Sequence, residues 1–355
     1  MFRIFLMPFA MCYGLAIVIR NLLFNWRILP SKMFNVPTIV VGNLSVGGTG
    51  KTPHVEYLIR LLKKNKKQIA TLSRGYGRKT KGFILANSKS TFRDIGDEPL
   101  QYAHKFPNIL VSVDSNRCRG VQKLMDLKKS QKPEVVLLDD AFQHRYIEPG
   151  LSVLLTDYHK VYKQDYLLPV GTLRENRAGA KRADFIIVTK TPKVLSPITK
   201  RRLMELLALR KDQKLFFSYI DYGSFVPMNK VAEKALQDTY NTIVLFTGIA
   251  NPYPLHEHLI QFCTDLTPIN FADHHAYTQK DLKKIRDIFV NVFSKRKIIL
   301  TTEKDSKRLI DSELYDTIKD LPICYIPIEV KFHKGDQGDF DKQILNYVKK
   351  DSGNC

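Results

Sequence analysis

The 355-residue chain is 44% hydrophobic, enough for a sizeable core and, at this length, for one large or two ordinary domains, of which two is the preferred reading. Its formal charge of +21 calls for an anionic partner: nucleic acid, an acidic membrane face or a phosphorylated substrate. No RNA-binding signature or Cys/His finger spacing accompanies that charge, and the five scattered cysteines form no metal or redox pair, which fits a reducing compartment.

The chain opens on an apolar run, Ile4 to Ile19, without a charge between Arg3 and Arg20. As a helix this run reaches only about 24 Å, short of the ~30 Å hydrocarbon core, so it is expected to lie in or dip into one leaflet with Trp26 and Arg27 at the interface. The rivals are a buried core helix and a signal peptide, the latter lacking a small-residue cleavage site after Arg20.

Val36 to Thr52, VPTIVVGNLSVGGTGKT, reads as a strand over Thr38 to Val41, a glycine-rich turn, and a helix beginning Gly50, Lys51, Thr52. Ser45, Val46, Gly47, Gly48, Thr49 and Gly50 would cradle phosphate oxygens with backbone N–H groups, Lys51 would add a point charge, and the Thr52 hydroxyl would hold Mg²⁺. Ser45 stands where the general GxxxxGK[ST] pattern wants glycine.

Val55 to Leu62 has helical apolar spacing, and Gln68 to Leu72 reads as a second strand. The turn SRGYGR after it carries Arg74 and Arg78, suited to phosphate oxygens at a strand's C-terminal end; an ordinary solvent loop is the alternative. Asp97 and Glu98, just before Pro99, look like a helix's first turn, where acids complement the dipole. A kinase also needs a carboxylate that accepts or orients a hydroxyl proton. Val135 to Leu138 ends in Asp139 and Asp140, the strand-tip acids that face Mg²⁺ in a Walker B arrangement, followed by Gln143 and His144. Strands over Leu151 to Leu155 and Phe185 to Thr189 flank the loop LLPVGTLRENR, which holds Arg174 and Glu175. Alternating strands and helices to this point predict an α/β fold with a mostly parallel sheet covered on both faces.

Leu215 to Ile220 and Asp221 to Val226 are expected to pair as strands linking two bodies. A second α/β series then follows, with strands Ile243 to Phe246 and Ile298 to Leu300, and FADHHAY between them. Asp273 could orient a histidine there, or cap a helix beside two exposed ones. The predicted divisions are an N-terminal helix over 1–26, a P-loop domain over 27–215, a smaller α/β domain over 216–345, and a flexible tail over 346–355.

The ordered set SVGGTGKT, SRGYGR, GDEP, LLDDAFQH, LLPVGTLRE, FTGIANP, FADHHAY and TTEKD closely resembles the tetraacyldisaccharide 4'-kinases, the lipid A 4'-kinases of Gram-negative bacteria, and even Ser45 matches that family's loop. The resemblance implies ATP- and Mg²⁺-dependent transfer of the γ-phosphoryl group to the 4'-hydroxyl of a tetraacylated disaccharide 1-phosphate. It implies Lys51 and Thr52 at phosphate and Mg²⁺, Asp139 and Asp140 as the strand-tip acids, Asp97 as catalytic carboxylate, and His274 assisting from the second domain. Arg174 and Glu175 match a loop near the transfer site, with Gln143 and His144 nearby. The implied partners are the lipid substrate and the cytoplasmic face of the inner membrane, with no nucleic acid and no obligate protein partner. A regulatory ATPase is disfavoured because Val46 stands where its signature lysine precedes the glycine pair. A GTPase is disfavoured because Thr189 to Pro192 lacks the aspartate of an [NT]KxD strand end.

Overall fold

The computed structural model describes residues 5–273, 275–310 and 313–352. Two compact units divide it, one running to Ile220 and resuming at Val330, the other spanning Asp221–Glu329.

The chain enters through α1 (Met7–Asn25), then β1 (Thr38–Asn43), α2 (Lys51–Lys64), β2 (Ile69–Ser73), β3 (Ile84–Leu85), the short α3 (Phe92–Ile95), α4 (Asp97–Lys105), β4 (Leu110–Val113) and α5 (Arg117–Met125). It continues with β5 (Val135–Asp139), β6 (Leu151–Asp157), β7 (Phe185–Thr189), α6 (Pro197–Leu207) and β8 (Lys214–Tyr222). These strands, with β14 (Ile328–Phe332), form one nine-stranded sheet in the order β14-β8-β7-β6-β1-β5-β2-β4-β3. The pairs β1–β5, β1–β6, β2–β5, β2–β4, β6–β7 and β7–β8 are parallel, and β3 runs antiparallel to β4.

The central strands are apolar on both sides because both sides are covered. Val40, Leu72, Leu138, Leu154 and Ile186 face one layer with Val121 and Leu124 of α5 and Leu203 and Leu207 of α6. Their neighbours Ile39, Val41, Leu137, Val153 and Ile187 face the other, with Val55, Leu58 and Leu62 of α2 and Tyr102 of α4. The period of two thus builds two cores from one sheet. Val41 stands opposite Asp139 in the β1–β5 register, so the glycine loop and the strand-tip acids leave the sheet at the same end.

The second unit holds β9 (Val226–Pro227), α7 (Lys230–Ala235), β10 (Tyr240–Thr247), α8 (Tyr253–Leu259), β11 (Cys263–Asn270), α9 (Gln279–Asn291), β12 (Lys297–Thr302), α10 (Glu303–Ile310) and β13 (Ile323–Ile326). Its sheet order is β11-β10-β12-β13-β9, parallel except for β9.

The structure corrects three expectations. Leu215 to Ile220 and Asp221 to Val226 are not a pair: β8 runs through to Tyr222, while β9 joins β13. The second body ends at Glu329, not at 345, because the chain returns to the first unit. There α11 (Asp336–Ser352) buries Phe340, Ile344 and Val348 on the α2 side of the large sheet, with Phe340 stacked on Phe332 at 4.5 Å. Each such side chain contributes on the order of 2 kcal/mol, so the stretch expected to be a flexible tail from 346 is helical to Ser352.

The expected N-terminal helix is 19 residues long and, by length and composition, apolar enough to cross a membrane. It is no core helix. Only Ala10, Gly14 and Phe24 are buried, whereas Phe5, Phe9, Met11 and Leu15 are each more than 60% exposed.

Candidate active site

The loop between β1 and α2 is shaped by its glycines. Gly50 caps α2 at φ 87° and Gly47 sits at φ 112°, the left-handed region where a side chain would be strained. Both flanks are tied down. Ser45 bridges Leu173, the Val46 N–H donates to the Thr172 carbonyl (2.7 Å), and the Arg174 N–H donates to the Leu44 carbonyl (2.7 Å). Within the loop, Asn43 Nδ2 donates to Thr49 Oγ1 (2.8 Å), and Thr189 Oγ1 donates to the Thr49 carbonyl (2.9 Å). Val46 is half exposed and Gly48 has open space above it.

Lys51 and Thr52 open α2, and each meets an acid from another element. Lys51 Nζ lies 3.6 Å from Asp140 Oδ1, and Thr52 Oγ1 donates to Glu98 Oε1 at 3.2 Å. Glu98 stands with Asp97 in the first turn of α4, the dipole-favoured place for carboxylates. One turn further on, Tyr102 donates its hydroxyl to Asp139 Oδ2 (3.1 Å). The spacing of α4 therefore places Glu98 and Tyr102 on one face, toward the glycine loop and the strand tip.

The two strand-tip acids are differently held. Asp139 is 1% exposed, and its Oδ1 has no hydrogen-bond partner among the described residues. Burial, with the charges of Glu98 and Asp140 adding to it, pushes this carboxyl up to about 8. Burial also opposes ionisation of Asp140, but Lys51 and Arg174 outweigh it and hold that carboxyl below the usual range. Arg174 reaches Asp140 Oδ1 at 3.0 Å and also bonds Asn43 Oδ1, so it joins the ends of β1 and β5.

Glu175 is buried and engaged by Arg182 (2.7 Å), by Asn21 of α1 (3.3 Å) and by Gln143 (3.5 Å). Gln143 also donates to the Asn43 carbonyl (2.7 Å). The helix α1 is seated on these same loops: Tyr13 donates to the Arg174 carbonyl (2.7 Å), Arg20 to the Gln143 carbonyl (3.0 Å), and Gly14 leaves room for Leu167. His144 keeps a buried Nε2 without a partner. Burial, reinforced by Arg117, Arg20 and Arg74, pushes its pKa down to about 4.

The remaining predicted residues part company. Arg74 is exposed at the end of β2 and adds to the positive field at His144 and Arg117. Arg78 turns into its own loop, donating to the carbonyls of Gly82 (2.9 Å) and Val113 (3.5 Å). His274 lies outside the described residues. Its neighbour His275 is held by Asp281 at 3.0 Å and stacks on Phe271.

Two residues that sequence reasoning passed over belong to this region. Arg117, 3% exposed, donates to the carbonyls of Asp114, Ser115 and Asp140, and burial lowers its pKa to about 10. Its signal was a cation in the first turn of α5, where the dipole opposes positive charge and some other interaction must compensate. His54, also buried, bridges the Gly50 carbonyl (2.7 Å) and Ser218 Oγ (2.9 Å). A carbonyl only accepts, so Nδ1 carries the proton and Nε2 accepts from Ser218. Burial holds this ring neutral, with a pKa down at about 4.

A lysine, a hydroxyl, a glycine-rich loop at a helix N-terminus and three carboxylates thus meet at one sheet end, a constellation suited to positioning a polyphosphate and stabilising its transfer. The family described as LpxK, tetraacyldisaccharide-1-P 4'-kinase, matches residues 2–349. The tetraacyldisaccharide 4'-kinase of Bacteroides thetaiotaomicron is 44% identical over 98% of this chain and 94% of its own length. That of Flavobacterium johnsoniae is 45% identical over 98% of both. The crystal structure of the "apo" form of LpxK from Aquifex aeolicus in complex with ATP matches with a TM-score of 0.72 and 28% identity, over 98% of this chain and 100% of that one.

Proposed function

Because the chain belongs to the family of tetraacyldisaccharide-1-P 4'-kinases, we propose that the glycine loop and the acids converging on it are the seat of its phosphoryl transfer. The enzyme is an ATP-dependent kinase of lipid A biosynthesis that phosphorylates the 4'-hydroxyl of tetraacyldisaccharide 1-phosphate. The observation that carries the site reading is the unbroken set of contacts from Asn43 through Arg174, Asp140 and Lys51, and from Thr52 to Glu98.

In this reading the loop from Gly47 to Thr52 holds the phosphates of ATP through backbone N–H groups, the Val46 N–H being given to Thr172, and Lys51 neutralises the oxygens of the group in flight. Thr52, Asp139 and Asp140 suit a Mg²⁺ ion. The orphaned Oδ1 of Asp139, in a carboxyl that burial keeps from ionising, is an acceptor that a divalent cation would satisfy. Mg²⁺ is commonly held by one or two carboxylates together with phosphates. When bound, Mg²⁺ would neutralise negative charge on the phosphates.

Asp97, beside Glu98 at the start of α4, accepts or orients the proton of the 4'-hydroxyl. Arg174 holds Asp140 ionised and in place. Arg74, Gln143, His144 and Glu175 line the approach for the sugar phosphate, whereas Arg78 braces the loop that presents Arg74. The exposed face of α1 rests on the cytoplasmic leaflet of the inner membrane and brings the lipid to the loops on which α1 is seated. Arg20 sits at the join of the two.

Labelled γ-phosphate from ATP should appear on tetraacyldisaccharide 1-phosphate in detergent micelles with the wild type and not with Lys51→Ala. Hydrolysis of ATP without lipid product would overturn the site reading. A chain lacking Phe2 to Phe24 should no longer sediment with vesicles; if it still does, the anchor lies elsewhere.

A further inference from the structure

The segment from Val194 to Arg202, which runs from the loop after β7 into α6, carries exposed apolar side chains and two exposed arginines. Val194 is 88% exposed and Ile198 83% exposed, in a short stretch whose buried residues already satisfy the packing. Leu203 and Leu207 anchor α6 in the core, and Ser196 caps it by accepting from the Thr199 N–H (3.2 Å). Ile198, Arg201 and Arg202 occupy the opposite, outward side of that helix, at helical spacing. Arg201 pairs with the exposed Glu205, in a contact too solvated to hold either side chain. Lys193, next to Val194, is exposed as well.

The position of this stretch matters as much as its chemistry. In a parallel sheet every strand's C-terminal end lies on one side, and β1, β6 and β7 are parallel neighbours. The Val194 loop therefore leaves the same sheet end as the Leu44–Gly50 loop and the Thr172–Glu175 segment on which Tyr13 of α1 is seated. The helix α6 also shares a core layer with Phe142 and Leu173, the layer over which the α1 loops are built. Two apolar side chains that stand out beside Arg201 and Arg202, on the layer and at the sheet end where the apolar helix α1 is seated, are the composition of a bilayer-surface contact.

We propose that Lys193 to Arg202 form a second contact with an anionic bilayer, Val194 and Ile198 entering the headgroup region while Arg201 and Arg202 pair with lipid phosphates. This rests on the docking of α1 on the membrane and adds to it a second, separate point of contact. A single helix lying on a surface leaves rotation about its own axis free; a second point fixes it, and so sets which way the glycine loop and acids face the lipid.

The test uses the full chain with one tryptophan. Trp26→Phe removes the native one, and Ile198→Trp or, on α1, Leu15→Trp supplies a reporter. Vesicles of phosphatidylcholine, with and without phosphatidylglycerol and with brominated acyl chains, are the probe. Emission at both positions should shift to the blue and be quenched when phosphatidylglycerol is present. Quenching at position 15 with none at 198 would overturn the second contact and leave α1 docking intact; quenching at neither would overturn both. Arg201→Gln with Arg202→Gln should weaken partition into phosphatidylglycerol vesicles by roughly fivefold for each arginine, with transfer to micellar substrate unchanged. Unchanged partition would count against the proposal.

Discussion

Asp139 closes β5 in the first unit, and Asp305 lies in the first turn after β12 in the second; each is buried beside the end of a parallel strand. Their surroundings differ in kind. Asp305 accepts from the Gly248 N–H (3.0 Å) and Thr302 Oγ1 (2.7 Å) and faces Arg308 at 3.5 Å. Asp139 has one donor, Tyr102, two acidic neighbours and an oxygen with no partner. A fold that needs a buried carboxylate for its own cohesion surrounds it with donors, as around Asp305. A site that awaits a cation leaves part of the cost open, as around Asp139. The charge follows the same division, since residues 221–329 hold slightly more acidic than basic side chains and the whole surplus of +21 belongs to the other unit.

The largest effect is expected at Lys51. Lys51→Ala should lower kcat on micellar substrate by about 10³-fold, the scale of a lost charge-stabilising donor, while its thermal unfolding stays close to wild type. A comparable loss of stability would mean that the lysine is a structural partner of Asp140 first. Asp97→Asn should lower turnover by on the order of 10²-fold, within the range of general-base effects, and leave ATP binding intact by calorimetry. Normal turnover would remove Asp97 from the mechanism.

The two aspartates should respond with opposite signs. Asp139→Asn removes a carboxyl that the fold does not satisfy, so the variant should lose turnover yet unfold at the same or a higher temperature. Asp305→Ala leaves the Gly248 N–H and the Thr302 hydroxyl without their acceptor and should cost about 1–3 kcal/mol of stability in urea unfolding, with turnover per folded molecule kept. If both variants lost stability alike, the contrast would fail.

The effect at His54 is confined to acid pH. His54 is buried neutral, with its pKa down at about 4 against ~6.5 unfolded, so below the unfolded value the unfolded chain binds the extra proton. The stability it contributes is present above ~6.5 and declines by up to about 1.4 kcal/mol per pH unit as pH falls toward the folded value. His54→Gln should flatten that slope between pH 6 and 4 in chemical denaturation; an unaltered slope would place the titrating group elsewhere.

Much of this was legible in the chain. Four apolar residues followed by Asp139 and Asp140, and a strand followed by GGTGKT, are local patterns set by a period and by backbone freedom, and both elements stand where expected. The helix start at Asp97 was likewise a first-turn acid pair. Arg78 shows the limit: arginines in a glycine turn look alike in sequence, but Arg74 stays exposed, while Arg78 is used by a carbonyl of its own loop, Gly82, and by that of Val113 at the end of β4.

The sequence by itself determined the strand–loop–helix chemistry of the site, the alternation that makes a covered parallel sheet, and the apolar entry helix, because each rests on neighbours within a few residues. Only the tertiary structure decided that Tyr102 serves Asp139, that Arg174 joins β1 to β5, that His54 and Arg117 support the loop and strand tip, and that α11 returns to the first unit. Those contacts join residues tens to hundreds of positions apart. What selects them is shared burial and the need to satisfy each buried polar group, and that need exists only once the sheet has brought its ends together.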